Sequence, residues 1–238
     1  MKNDFKSGLR DGLPICLGYL SVAFAFGIFA TNSGLTVWQA FCISVFNVTS
    51  AGQLAAVPII TSGGSLLELA GSQLIINLRY ALMSVSLSQK MDGSMKTLPR
   101  LITAFINTDE VFAVSSSKKG LLGKSYFYGL ILLPWLGWSL GTLAGAVAGD
   151  VLPEIVSSSL GISIYGMLIA IVVPVARTSR AVAVCSLIAA GGSCAFRYIP
   201  VLSRLPGGFA LIICAVGAGA LMALIAPLPP EKEVDDED

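Results

Sequence analysis

Long apolar runs recur from one end of the chain to the other, each near the roughly 20 residues that a bilayer core requires. Eight can be read, at residues 12–31, 35–61, 65–89, 100–117, 126–149, 156–176, 180–197 and 208–227. This pattern predicts an all-α polytopic integral membrane protein, since a β-barrel would show short alternating segments. Two runs are irregular. The second is long and interrupted at "FNVTSAGQ"; the fourth, "RLITAFINTDEVFAVSSS", is short and polar at its centre. Both predict broken or re-entrant helices. Glycine is frequent inside the runs ("GTLAGAVAG", "AVGAGALMAL"), which predicts close helix approach.

Fragments of similar sequence return in the same order. "LPICLG" is followed by "LPWLG", "VPII" by "VPVA", "NLRYAL" by "AFRYIP" and "LPRLITAFI" by "LPGGFALII", at offsets between 107 and 120 residues. They predict a duplicated four-segment unit, an arrangement common in secondary transporters with the substrate site between the halves. The corresponding domains are a first membrane repeat at 1–117, a basic connecting loop at 118–125, a second repeat at 126–227 and an acidic disordered tail at 228–238.

Loop charge sets orientation. Lys2, Lys6 and Arg10 predict a cytoplasmic N-terminus, and the apolar run after them is too long for a cleaved signal. With eight crossings, the preferred count, Lys118, Lys119, Lys124, Arg177 and Arg180 also lie inside, as does the C-terminus, while Asp150 and Glu154 lie outside. Lys90, Lys96 and Arg100 would then be outside, against the rule. That conflict vanishes if the second and fourth runs are hairpin-like.

Composition narrows the chemistry. Only 12% of residues are charged, half the roughly 25% of a soluble domain, and mean hydropathy is +0.80. A net charge of +1 implies no nucleic-acid partner. The five cysteines all sit inside apolar runs with no Cys-x-x-Cys pair, so they read as small apolar side chains and not as a metal site or disulfide framework. Histidine is absent, which removes the commonest proton shuttle and metal ligand and any Ser-His or Cys-His pair. No Gly-x-Ser-x-Gly elbow is present either, and neither an enzyme nor a cofactor is expected.

Three polar clusters stand at membrane depth, where a charge costs about 2.5 to 3.5 kcal/mol on insertion scales. The first, Asn47, Val48, Thr49, Ser50, Ala51, Gly52 and Gln53, predicts an unwound stretch. Its freed N–H groups suit a carboxylate and its freed carbonyls an ammonium, although small polar residues also serve as interhelical hydrogen bonds. The second is Asn77, Arg79 and Tyr80. Arg79 offers a planar fork of donors for a substrate carboxylate or for an internal acid. The third is Thr108, Asp109 and Glu110. Adjacent carboxylates face different ways on a helix, so one can pair with Arg79 while the other, with Glu68 as a further candidate, could carry a coupling proton.

At these clusters the chain resembles the AzlC family of branched-chain amino acid permeases and exporters. The motifs are "SAGQLAAV" (50–57), "INLRYALMSVSLS" (76–88) and "INTDEVFAV" (106–114). Many members carry His after the Arg of the second motif, where this chain has Tyr80, so no titrating imidazole is available there. The resemblance implies export of branched-chain or similar amino acids through the cytoplasmic (inner) membrane, with a small AzlD-type membrane subunit as partner.

The residues fit that expectation in outline. Backbone amides near Asn47–Gln53, or Arg79, suit the carboxylate; Asp109, Glu110 or freed carbonyls suit the ammonium. Phe46 and Phe112 could line a side-chain pocket. Discrimination by one methylene is only about 1–3 kcal/mol, so Val, Leu, Ile and Met are all expected substrates. The competing readings are a passive pore for small polar solutes and a structural subunit of a transport complex.

Overall fold

A computed structural model describes residues 4–149, 169, 172–173 and 176–226. Most of the sixth apolar run, Lys2, Asp150, Glu154, Pro174 of the repeated "VPVA" and the acidic tail lie outside the described residues. Among the described residues the chain is helical, with one isolated bridge between Met91 and Leu122. It divides into two compact units, Met1–Leu168 and Ile169–Asp238.

The first unit is built on α1 (Phe5–Asn32) and α7 (Lys124–Gly149). Asp4 starts α1 by accepting the Ser7 N–H at 2.8 Å. The two helices run parallel along a seam of glycines. Gly8 and Gly12 of α1 lie against the backbone of Tyr126 and Leu130, and Gly137, Gly141 and Gly145 of α7 lie against Cys16, Leu20 and Phe24. A methyl group at Gly145 would overlap the Phe24 carbonyl oxygen, and one at Gly141 would lie 2.7 Å from the Leu20 oxygen. In lipid no hydrophobic force presses helices together, so such backbone contact supplies the packing attraction.

Between them lie α2 (Val37–Phe46), α3 (Ser50–Thr61), α4 (Leu66–Ser88), α5 (Thr97–Phe105) and α6 (Asp109–Ser117). At about 1.5 Å per residue α4 is long enough to cross a bilayer core of about 30 Å, whereas α2, α3, α5 and α6 each reach only about 14–18 Å. The second and fourth apolar runs are thus each two short helices around a break, at residues 47–49 and 106–108.

Hydrogen bonds show where the α5–α6 segment returns. The Lys90 ammonium, just past α4, donates to the carbonyls of Ser116 (2.7 Å) and Lys118 (2.6 Å) at the end of α6. Asp92 N–H donates to the Leu122 carbonyl and Leu122 N–H to that of Lys90. Lys118 pairs with Asp11 near the start of α1 at 2.7 Å, and Asp11 also accepts from Tyr126 at the start of α7 at 2.8 Å. So α5–α6 leaves and re-enters at the end of the bundle where α1 and α7 begin and α4 finishes. Since α4 finishes where α1 begins, α2–α3 also starts and ends on one side, the opposite one. The preferred count of eight full crossings therefore does not hold for these two runs. Lys90, Lys96 and Arg100 join Lys6, Arg10, Lys118, Lys119 and Lys124 at one end, which removes the conflict in loop charge.

The same order of elements recurs. α1, α2, α3 and α4 are followed, about 60 residues later in each case, by α4, α5, α6 and α7. Each set is a long helix and then a broken hairpin, and the two hairpins enter from opposite ends.

In the second unit α8 (Arg180–Tyr198) and α9 (Gly207–Ile225) pack together through a 3-10 turn at Leu202–Arg204. Ser179 caps α8 by accepting the Val182 N–H at 3.4 Å. Among the described residues four helices, α1, α7, α8 and α9, are long and apolar enough to cross a membrane. The free cysteines are less enclosed than expected: Cys16, Cys42, Cys185 and Cys214 are half-buried and Cys194 is exposed.

The hairpin path has a direct test. In a cysteine-free background, Gly93→Cys is expected to react with an impermeant thiol reagent from the side that carries the N-terminus, and Ser62→Cys only from the other. Gly93 has open space around it and an unstrained backbone, so the substitution itself costs little. Reaction of position 93 from the same side as position 62 would overturn the path.

Candidate functional site

Both breaks end on a threonine. Thr108 closes its own helix, its hydroxyl accepting the Val111 N–H at 3.5 Å. Thr49 does not cap α3 with its side chain; its hydroxyl accepts from Tyr80 Oη at 3.4 Å instead. The first N–H groups of α3 thus have no side-chain cap and present the positive end of the helix dipole beside Tyr80.

The groups freed by the first break are held by protein, as lipid requires. Trp135 Nε1 donates to the Val45 carbonyl at 3.1 Å. Gln53 Nε2 donates to the Asn47 carbonyl at 2.6 Å and to Ser44 Oγ at 2.9 Å, and Ser44 shares a 2.7 Å bond with Thr142 of α7. Gln53 is fully buried, so it braces the break. Ser50 sits half-buried in the first turn of α3, and only Asn47, Val48 and Thr49 are unwound, a shorter stretch than expected.

Opposite the breaks, α4 presents Gln73, Asn77, Tyr80 and Ser84 at alternating spacings of four and three, which is one helical face. Gln73 Nε2 donates to the Gly52 carbonyl at 2.8 Å, while its Oε1 accepts from Asn47 at 3.2 Å and from Asn77 at 3.3 Å. A methyl group at position 52 would lie 2.6 Å from Gln73 Oε1 and would have to displace that side chain. Arg79 Nη2 donates to Tyr80 Oη at 2.9 Å and pairs with Asp109 Oδ2 at 2.9 Å. Its guanidinium carbon stands 4.7 Å from the Tyr80 ring centre. Tyr19 of α1 donates to Glu110, and Asn107 donates to Ser84 at 3.0 Å.

The three polar clusters are therefore brought to one place. Asp109 serves Arg79 and Glu110 serves Tyr19, as neighbouring positions on a helix require. The Arg79 and Asp109 side chains are 48% and 47% exposed, so the ion pair is open on one side. Glu68 is buried in the first turn of α4, about three turns from Arg79, and Phe46 is 72% exposed, whereas Phe112 packs against the core cluster around Val111 and Tyr19. Sequence reasoning missed Gln73, Ser44, Thr142, Tyr19 and Trp135. The spacing of Gln73, Asn77, Tyr80 and Ser84 was a readable signal for the first of these.

A helical bundle whose polar centre is made by two opposed helix breaks and an open ion pair defines an integral membrane protein of the broken-helix class. The chain belongs to the AzlC family: residues 14–152 match the AzlC protein family, a stretch that holds both breaks and the Arg79–Asp109 pair. It is similar to the inner membrane protein YgaZ of Escherichia coli K12, with 29% identity over 150 residues, 61% of each chain. It thus aligns with about six-tenths of that relative's length. An uncharacterized membrane protein of Archaeoglobus fulgidus is 32% identical over 172 residues, 71% of this chain and 75% of the relative. One from Helicobacter pylori 26695 is 27% identical over 155 residues, 62% and 67% of the respective chains. No solved structure matches.

Proposed function

We propose that the protein is a secondary transporter of small apolar, branched-chain amino acids, working as an exporter with a small AzlD-type membrane subunit. The observation that carries this reading is the open Arg79–Asp109 pair between the two breaks. An ion pair half-exposed near the middle of α4 cannot face hydrocarbon at tolerable cost, so it faces a water-accessible site. There the pair offers one charge to each end of a zwitterion, with the uncapped start of α3 as a second seat for the carboxylate. The cluster of Lys and Arg at one end makes that end cytoplasmic by the positive-inside tendency, and the membrane is the inner one, as YgaZ's name says of that relative. Glu110 or Asp109 would carry a coupling proton.

The test is efflux and uptake of labelled Val, Leu, Ile and Met in proteoliposomes that hold this chain with its small subunit, with and without an imposed pH gradient. Saturable exchange with counterflow is expected. Ion conductance without saturation would replace the carrier by a pore. Unchanged pH dependence in Glu110→Gln and Asp109→Asn would remove the proton.

A further inference from the structure

The second unit holds an open groove of about 610 Å³ between α8 and α9. That volume lies within the roughly 300–1,000 Å³ of ligand sites. Its two ends differ. Arg197 stands at the mouth with Ser193, which is four residues earlier and so on the same face of α8, and with Gly207, the first residue of α9. Leu211 and Ala215 follow Gly207 by four and eight residues, so the apolar floor reaches about 12 Å deeper along the α9 axis. The helices meet at Gly192, where a methyl group would lie 3.1 Å from Cys214 Sγ. With 19 residues α8 spans about 28 Å, close to a bilayer core of about 30 Å. Its last turn, which carries Arg197, therefore stands at headgroup level, and the floor runs through most of one leaflet.

Charge decides what suits the mouth. The described residues of this unit include Arg177, Arg180, Arg197 and Arg204 but no Asp or Glu. Among the described residues Arg197 has neither a hydrogen-bond nor an ion-pair partner. No side chain caps the start of α9. Nothing lies within 4 Å of where a methyl group on Gly207 would be, so the positive end of the α9 dipole is open to the groove as well. The acidic tail follows on from the opposite end of the unit, since α9 ends at Ile225, about 27 Å along its axis from Gly207.

We propose that this groove binds an anionic phospholipid of the surrounding bilayer. The phosphate sits against the Arg197 guanidinium and the Ser193 hydroxyl, and one acyl chain lies along Leu211 and Ala215. A guanidinium holds phosphate with two parallel N–H donors, and a charged head on an apolar tail matches a groove that is cationic at its mouth and apolar below. A free anion would leave the floor empty. A zwitterionic lipid would bring its own ammonium against the arginine. This binding does not depend on what the protein carries.

The test is native mass spectrometry of the full chain in detergent, given equal amounts of phosphatidylglycerol and phosphatidylethanolamine with the same acyl chains. Retained phosphatidylglycerol is expected in about fivefold excess, the size of one arginine's attraction to an anionic surface. Arg197→Gln should bring the ratio to about one. Arg180→Gln, at the other end of α8, should leave it unchanged. Ala215→Phe, which fills the floor and keeps Arg197, should lower phosphatidylglycerol retention severalfold. All three side chains are exposed, so the variants are expected to fold. An unaltered ratio in Arg197→Gln, an equal loss in Arg180→Gln or undiminished retention in Ala215→Phe would each refute the site. Release by excess inorganic phosphate, beyond that caused by chloride at the same ionic strength, would make the ligand a free anion and overturn the lipid.

Discussion

Arg79→Ala is expected to lower leucine transport by about tenfold to a hundredfold. A hydrogen bond to a charged group contributes about 1.5–3 kcal/mol, and each 1.4 kcal/mol is tenfold. Half-exposure of the pair keeps its effect on folding toward the lower end of that range, so the variant should still reach the membrane. Arg79→Lys keeps the charge but loses the planar fork that touches Tyr80 and Asp109 together; transport should fall between the parent and the alanine variant. A structural role is separated by the double variant Arg79→Gln with Asp109→Asn, which leaves neither charge unpaired. It should accumulate and unfold thermally like the parent yet remain inactive. Normal leucine exchange by that double variant would assign the pair to architecture alone.

Much of this arrangement was legible in the residues. Polar interruptions at "FNVTSAGQ" and "FINTDEV" marked the two breaks because lipid leaves a broken backbone only protein or water as partners. Arg79 pointed to one of the adjacent acids Asp109 and Glu110, because a permanent charge at that depth needs an opposite one; that the partner is Asp109 is seen only in the structure. The path of the chain was harder. Apolar length alone does not tell a crossing from a hairpin. What decides it is the bonds from Lys90 to the end of α6 and from Asp11 to Lys118, made between loops remote in sequence. The positive-inside count already contained the hint, since Lys90, Lys96 and Arg100 fitted only the hairpin alternative. The recurrence of elements at about 60 residues was hidden for a different reason. Its two members enter the bundle from opposite ends, and the likeness between them is short: a break that ends on a threonine three residues after a phenylalanine, Phe46 and Thr49 in one, Phe105 and Thr108 in the other.

The other large effect is expected at Gly145, on the seam between α1 and α7. Its Cα faces the Phe24 carbonyl so closely that even one methyl group would overlap the oxygen, and the obstacle is backbone, which no rotamer change relieves. Overpacking of a fitted interface typically costs about 1–3 kcal/mol, so Gly145→Ala should unfold at a clearly lower temperature in detergent. Gly145→Leu, which must force α1 and α7 apart along their length, should not accumulate. Gly18 supplies the control: it is on α1 too, but nothing lies within 4 Å of where its methyl group would be. Gly18→Ala should be neutral or more stable by up to about 1 kcal/mol, since alanine is the better helix former. Activity should follow the seam as well. Thr142, one turn before Gly145, holds Ser44, and Ser44 holds the Gln53 amide that satisfies the first break. Displacing α7 therefore loosens the brace behind Asn47 and Thr49, and the surviving Gly145→Ala protein should transport leucine poorly at temperatures below its unfolding. Parental stability in Gly145→Leu would mean that the two helices do not meet along these glycines, and the bundle drawn around them would have to be rebuilt.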